Sequence, residues 1–449
     1  MNKQERKLFS RREVLKLMGI SAVGTAALSA CAAPVTPTTG QPAAGAQAAP
    51  ATAKTEITMW HGWTGADNTE MLTRMIDGYN KSNSDGITVI PTAYGWDDFF
   101  AKWVLAVASG NPADVALYHP TEMPEFVGRG TVIPIDELAE QVGWSWEGIA
   151  DAVKQSCYYE GKLYGIIEDY HPIAMYYNVD LVKAAGLDPE KPPTTRDEFV
   201  AWATAMTKKD DAGNFTQAGA GVPTTGVARW HWHSYLYQNG ATFLNGEGKA
   251  AFNTPQGLEA VQFMHDLLHK HQVAPLGQND GGDFQAGKVG IVFNGPWNVN
   301  AWLAAKVPIK TAPLPACFQQ PAAWANSHIL SLSKTDSAER QLAGMKFIQW
   351  FALNNLEAAV NVGIIPVAPK VLEELKQHER WEYYKAFVDE SDYLAYEPLV
   401  PQYGQIFSFG KPTPLTVNLE AALTDQKPLQ QALDEMEVGI NDILATPIS

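Results

Sequence analysis

From Thr55 onward, short apolar runs of strand length alternate with longer stretches of helical periodicity, and this constrains the chain more than any other feature. Ile57-Thr58-Met59-Trp60, Ile87-Thr88-Val89-Ile90 and Asp114-Val115-Ala116-Leu117-Tyr118 read as strands. Between them, Asp67 to Asn83 and Asp98 to Ser109 read as helices, the first with Leu72, Met75, Ile76 and Tyr79 on one stripe. Strand, helix, strand at this spacing predicts an α/β fold built on parallel sheet. Thr195-Arg196-Asp197-Glu198 is a capping box, and Thr254-Pro255 places an N-cap before proline, so each predicts a helix start. Val289–Phe293 and Ile329–Leu332 are expected strands, and Pro428 to Leu444 an expected helix.

The segment ahead of this pattern reads as an address. Basic residues precede a Gly-, Ala- and Ser-rich apolar run from Leu17 to Ala30, too short to span a bilayer. Ser10-Arg11-Arg12-Glu13-Val14-Leu15-Lys16 resembles a twin-arginine export motif, and Leu28-Ser29-Ala30-Cys31 resembles the bacterial lipobox. Residues 1–30 are therefore expected to be an export signal, and Cys31 the lipidated first residue of the mature chain. Residues 31–54, almost all Ala, Pro, Thr, Gly and Gln, are expected to form a disordered tether.

The formal charge is −16, and removing residues 1–30, which carry +4, leaves −20. That balance excludes a general nucleic-acid binder, which needs a basic face. No P-loop, Gly-x-Ser-x-Gly elbow or His-Glu-x-x-His helix occurs. Gly246-Glu247-Gly248 reads as a hairpin turn and Asp280-Gly281-Gly282-Asp283 as a loop. Trp230-His231-Trp232-His233 reads as strand or loop with both imidazoles on one side, and His265 and His269 stand four apart on a helix. Either pair could hold a metal with a third ligand. We read His265, His269 and His271 as a solvated face, and His231 and His233, with Trp230 and Trp232, as support for a polar ligand. Neither a metal nor a cofactor is expected. Cys157 and Cys317 are the remaining thiols, and their pairing is not readable from sequence. Glu122/Glu125 and Glu168/Asp169 are acids close in sequence, but nothing specifies the facing geometry a glycosidase needs.

The chain holds 14 Trp, and they fall into two populations. Trp60, Trp103, Trp202 and Trp350 sit in a strand or on apolar helix stripes and are expected in the core. Trp63, Trp297 and Trp324 are flanked by Gly, Pro or polar residues after expected strands, where open α/β sheets bind ligands. Aromatic planes with polar neighbours suit a sugar, whose ring has an apolar C–H face and a hydroxyl girdle.

Ile57-Thr58-Met59-Trp60-His61-Gly62, Tyr176-Tyr177-Asn178-Val179-Asp180-Leu181, Pro193-Thr194-Thr195-Arg196-Asp197-Glu198-Phe199, Phe284-Gln285-Ala286-Gly287-Lys288-Val289-Gly290-Ile291 and Gly295-Pro296-Trp297 carry a resemblance. They resemble the extracellular solute-binding proteins of bacterial carbohydrate ABC importers, in order and over essentially the whole mature chain. The resemblance implies a two-lobed periplasmic-binding fold (type II) with hinge crossovers. Residues 55–165 and 320–362 would form the N-lobe, and 166–319 and 363–449 the C-lobe. It also implies a monomeric, membrane-anchored, extracytoplasmic protein that closes on a carbohydrate and docks on permease subunits. Carried over by position, Trp63 and Thr64, then Tyr118, Thr121 and Glu122, would face the cleft from the N-lobe. Tyr170 and His171 would enter from the first crossover, Trp297 from the C-lobe, and Tyr403 from the late aromatic stretch. Trp324-Ala325-Asn326-Ser327-His328 replaces a Gly-Gly segment common in the family, so a bulkier loop is expected there. The rival readings are a secreted glycoside-active enzyme and a metal-capture protein of similar fold.

Overall fold

The computed structural model of the chain describes residues 54–408 and 411–447. The expected export signal, Cys31 and most of the tether lie outside the described residues. Strand Thr55–His61 alternates as its sequence demands, with Ile57, Met59 and His61 buried and the residues between them partly or fully exposed. It pairs in parallel with Ile87–Ala93 and Val115–Tyr118, placing Ile57 opposite Val89 and Met59 opposite Val115. Parallel neighbours require crossovers. Helix Ala66–Ser82 supplies one, burying Met71, Leu72, Met75, Ile76 and Tyr79. Helix Trp96–Ala108 supplies the next, with Phe99 and Trp103 fully buried. Ile329–Leu332 joins this first sheet antiparallel to Val115–Tyr118, and Ile166–Ile167 pairs antiparallel with it at the edge, running in the sense of the first three strands.

A second five-stranded sheet runs in the order Ile309–Ala312, Ala174–Asn178, Val289–Asn294, Phe215–Ala220, Lys208–Lys209. Helix Arg196–Met206 covers it with Phe199, Trp202, Ala203 and Met206, and its N-terminus shows both halves of the Thr195/Glu198 capping box. The reciprocal bonds satisfy two amides that the first turn would otherwise leave without partners.

Between the two lies a smaller sheet, ordered Ile365–Pro366, Asp169–Pro172, Ala323–Asn326, Leu394–Tyr396. Its strands are stations on the way from one large sheet to the other. Residues 166–178 contribute to the first sheet, then the small one, then the second. Residues 323–332 pass from the small sheet into the first.

Four local expectations are corrected. Trp230-His231-Trp232-His233 is neither strand nor loop but part of helix Ala228–Gln238, buried on almost every side. Without a polar face such a helix shows no 3.6-residue period, and its Trp/His alternation imitates a strand. Trp324 stands on strand Ala323–Asn326 rather than in a loop. Asp280–Gln285 is a short helix capped by the Asn279 side chain, not a loop. His265 and His269 are only 18% and 25% exposed and face Asp425, so they are not an unengaged solvated face. Gly246–Gly248 does form a hairpin turn, with Gly248 N–H donating to Asn245 O and an antiparallel bridge from Leu244 to Ala250. Cys157 and Cys317 are both free and buried. No helix among the described residues is long and apolar enough to cross a membrane.

Candidate functional site

Loops leaving both large sheets meet the small sheet around a cleft of about 580 Å³, within the range of small-molecule sites. Its wall on the first-sheet side carries Gly62, Trp63, Thr64, Asn68, Trp96, His119 and Glu122. Trp230 and Trp297 come from the second-sheet side, and the small sheet supplies His171, Trp324 and Asn326. Tyr403 and Phe407 close one end. Two glycines are required by close approach. A Cβ on Gly62 would lie 2.2 Å from the Trp96 ring, and one on Gly295 would lie 1.9 Å from the Trp297 ring. Any side chain at either position would push an indole out of the wall. A wider hollow of about 650 Å³ between 223–227, 276–279 and 420–424 has no aromatic ring in its lining.

The indoles are organised as a continuous surface. Trp230 and Trp324 stack with centroids 4.4 Å apart, and Trp297 meets Trp230 edge-on at 5.7 Å. On the opposite wall Trp96 lies 4.4 Å from His119 and nearly parallel to His328 at 5.7 Å. Among the described residues lining the cleft there is no lysine or arginine.

Behind the aromatic surface sits a buried polar relay. Asp169, on the small sheet, accepts from His171 Nδ1 at 2.9 Å, from His328 Nδ1 at 3.1 Å and from the His328 backbone N–H at 2.5 Å. A carboxylate only accepts, so both imidazoles carry their proton on Nδ1. His328 Nε2 is then free to accept from Trp63 Nε1 at 3.3 Å. Burial pushes the Asp169 carboxyl up, but His328 and His171 outweigh it and hold the group below the usual carboxylate range. The adjacent Glu168 goes the other way: burial and then the Asp169 charge raise it well above its usual value, and Asn355 Nδ2 donates to it at 2.5 Å. Burial drives His119 well below its ordinary value, with His328 and His171 adding to the effect. His171 is lowered too, burial outweighing Asp169. Glu122 is raised to about 8 by burial, against the hydrogen bond from Thr121 Oγ1 at 3.0 Å.

Of the expected site residues, the cleft brings together Trp63, Thr64, Glu122, His171, Trp230, Trp297, Trp324 and Tyr403. It does not bring Tyr118, Thr121, Tyr170 or Trp232 to its lining. Tyr118 is fully buried with its hydroxyl 2.9 Å from Ser331 Oγ, because every side chain of its central strand is covered. Thr121 is buried and acts on Glu122 rather than on the cavity. Tyr170 alternates away from His171 along its strand and is buried. Trp232 packs edge-on against Phe252 and Phe243. Of the Trp expected in the core, Trp103 and Trp202 are buried, while Trp60 and Trp350 are partly buried against it.

Sequence reading did not assign His119, Asn326 or His328 to the site. For His328 the signal was present, in the bulky replacement of the Gly-Gly segment. His119, His171 and His328 each offer a nitrogen within 4.8 Å of the others. Both Nδ1 atoms on Asp169 and the His328 Nε2 on Trp63 are already engaged, so the three form a hydrogen-bonded wall more readily than a metal site. His231 and His233 cannot share an ion, since two residues along a helix turn side chains about 200° apart. His231 Nε2 instead meets Phe293 O at 3.2 Å, and His233 stacks on Tyr237.

Two α/β bodies linked through a small crossover sheet, with a ligand-sized cleft over that sheet, define the type II periplasmic-binding fold. The cyclic α-maltosyl-1,6-maltose binding protein from Arthrobacter globiformis superposes with a TM-score of 0.74, at 26% identity over 87% of this chain and 99% of that one. An sn-glycerol-3-phosphate-binding periplasmic protein from Pectobacterium atrosepticum is 23% identical over 53% of each chain. An arabinooligosaccharide-binding protein from Halalkalibacterium halodurans is 25% identical over 48% of this chain and 46% of its own. The chain spans about half the length of the curated relatives it matches. Residues 74–387 match the bacterial extracellular solute-binding protein family, and the chain belongs to that family.

Proposed function

We propose that this chain is the substrate-binding component of an ABC importer, capturing a mono- or oligosaccharide in the aromatic cleft and delivering it to a membrane permease. The observation that carries this reading is the composition of the cleft: five indoles from three directions, interleaved with His, Asn, Thr and Glu, and no basic side chain among its described residues. Sugar C–H faces gain from indole burial, and the remaining hydroxyls gain from polar groups between the rings. His171 Nε2, left unprotonated by the Nδ1 bond to Asp169, is suited to accept from a ligand hydroxyl. A phosphorylated ligand such as that of the glycerol-phosphate relatives needs Arg or Lys, or backbone donors at a helix N-terminus. The lining offers no such cation, and the N-terminus of helix Ala66–Ser82 at Gly65 and Asn68 is a place in it that meets the second condition, so sn-glycerol 3-phosphate belongs in the test. The lobes are taken as 55–165 with 320–362 and 166–319 with 363–449, pivoting on the small sheet. The signal-like residues 1–30 and the lipobox-like Cys31 support export and tethering at the outer face of the cell membrane.

The same geometry disfavours hydrolysis. The two acidic side chains in the lining, Glu122 and Glu125, come from one wall, and Glu125 is held by Arg129 Nε at 2.9 Å. Glycoside cleavage needs acids on either side of the bond.

A thermal-shift screen tests the reading, because a ligand bound only to the native state raises stability by RT ln(1 + [L]/Kd). Neutral mono- or oligosaccharides are expected to raise the melting temperature, and sn-glycerol 3-phosphate to leave it unchanged. The opposite ranking, or steady product release from a bound oligosaccharide, would sink the proposal. Trp297 is partly exposed at the cleft surface, so Trp297→Ala is expected to weaken sugar binding by about 10- to 100-fold. Its melting temperature without ligand is expected to stay near that of the parent. Intact affinity with a large loss of stability would return Trp297 to the core.

A further inference from the structure

We propose that His265, His269 and Asp425 form a site for a divalent transition metal of the zinc class, separate from the cleft. The two histidines stand at i, i+4 on helix Pro255–His269, so their rings emerge on one face and stack with centroids 4.1 Å apart. The third group comes from the turn between helices Pro414–Leu423 and Leu429–Leu444, where Asp425 takes a left-handed backbone conformation with φ of 57°. Its carboxylate reaches both rings, Oδ1 lying 2.7 Å from His265 Nε2 and Oδ2 lying 3.2 Å from His269 Nδ1.

The protons at this junction are the telling feature. His269 Nε2 is 2.9 Å from the carbonyl oxygen of Leu423, and a carbonyl can only accept, so that nitrogen carries the hydrogen. In the neutral ring Nδ1 then presents a lone pair to a carboxylate oxygen 3.2 Å away. Two lone pairs at that distance repel unless something positive lies between them. An extra proton on His269 supplies one answer, and a cation bound jointly by Nδ1, His265 Nε2 and the carboxylate supplies the other. The 3.2 Å contact already has the spacing of two donors on one ion, and the 2.7 Å contact, a hydrogen bond in the metal-free protein, opens by about 0.6 Å to admit it. Donors bound tetrahedrally to zinc at about 2.0–2.1 Å lie about 3.3 Å apart, and these ligand atoms all fall within 4.8 Å of one another. The Leu423 carbonyl on the far nitrogen of His269 is the outer partner that metal-bound imidazoles commonly have. Two imidazoles with one carboxylate favour Zn, Ni, Co or Cu over Ca or Mg. Asp425 is 64% exposed, which leaves a fourth position open to water. Among the described residues no Lys or Arg is paired with Asp425. A bound ion would pin the 424–428 turn to the helix, with all three ligands outside the lining of the cleft.

The test uses untagged, chelator-treated protein titrated with Zn²⁺ by calorimetry and followed by thermal melts, alongside His269→Ala and Asp425→Asn. One equivalent is expected to bind and to raise the melting temperature of the parent. Both substitutions are expected to weaken binding at least tenfold and to remove that rise, while the saccharide response is retained. Because both residues are partly exposed, the variants' metal-free melts report whether they fold, and either folded variant suffices. Absence of stoichiometric binding, or binding that survives substitution, would overturn the site.

Discussion

Asp169→Asn is expected to destabilise the protein by about 3 kcal/mol and to weaken ligand binding, although the side chains are nearly isosteric. Asp169 accepts from two imidazoles through Oδ2 and from a backbone N–H through Oδ1. An amide offers one acceptor and one donor. With its oxygen toward the imidazoles, the NH₂ faces the His328 backbone N–H, donor against donor. Turned over, the NH₂ faces two Nδ1–H groups, and both rings must shift tautomer or lose their partner. His328 would then no longer offer its Nε2 to Trp63, so the loss reaches the far wall of the cleft. Urea unfolding and calorimetric titration with a saccharide would check both effects. Unchanged stability would show that the relay is not formed.

Stability is expected to peak near pH 6–6.5 and to fall on both sides. Burial lowers His61 and His231 to about 4 and His233 to about 3, and it lowers His119 and His171 as well. Below the unfolded histidine value of about 6.5 the unfolded chain takes up protons that the folded chain refuses, so stability is lost as pH falls. Glu122, raised to about 8, acts in the opposite sense, as do Glu168 and Glu390, both raised by burial. These groups keep their protons in the fold, and stability declines as pH rises above about 4.5. Near pH 5 the lowered histidines outnumber the raised carboxyls, so stability there rises with pH. Above pH 6.5 only the carboxyls remain, and the slope reverses. Urea midpoints from pH 4.5 to 8 would show the maximum, and a flat profile between pH 5 and 7 would contradict the buried neutral histidines.

The sheet-forming elements were readable from sequence because each has one dry face. Ile57 and Met59 alternate with polar residues, and Leu72, Met75, Ile76 and Tyr79 repeat at helical spacing, so burial leaves a period. Helix Ala228–Gln238 has no such asymmetry and was misread for that reason. At the cleft, Gly and Pro beside an indole mark Trp297, which stays partly exposed, whereas Trp63 lines the cleft while only 4% exposed and packed into the core, so the same cue does not separate wall from core there. The Asp169–His328–Trp63 relay left no trace, since its members stand 159 and 265 residues apart and meet only through tertiary structure. Glu168 and Asp169 looked like any two neighbouring acids, yet their position in an otherwise apolar strand run, after Ile166-Ile167, was a usable sign of burial.

The small sheet has a further consequence. His171, Trp324 and Asn326 stand on the strands about which the proposed closure turns. Points on an axle barely travel, whereas Trp63, Trp96 and Trp297 stand on loops and helices of the bodies to either side and move with them. Under the proposed function, contacts to the axle would therefore hold a ligand almost equally in open and closed forms and set which ligand is retained. Contacts to the outer indoles differ between the forms, and only such differences shift the balance toward closure. The proposed function thus gives selection of the cargo and the signal of its arrival to different residues of one cleft, and substitutions in one group are expected to spare the other.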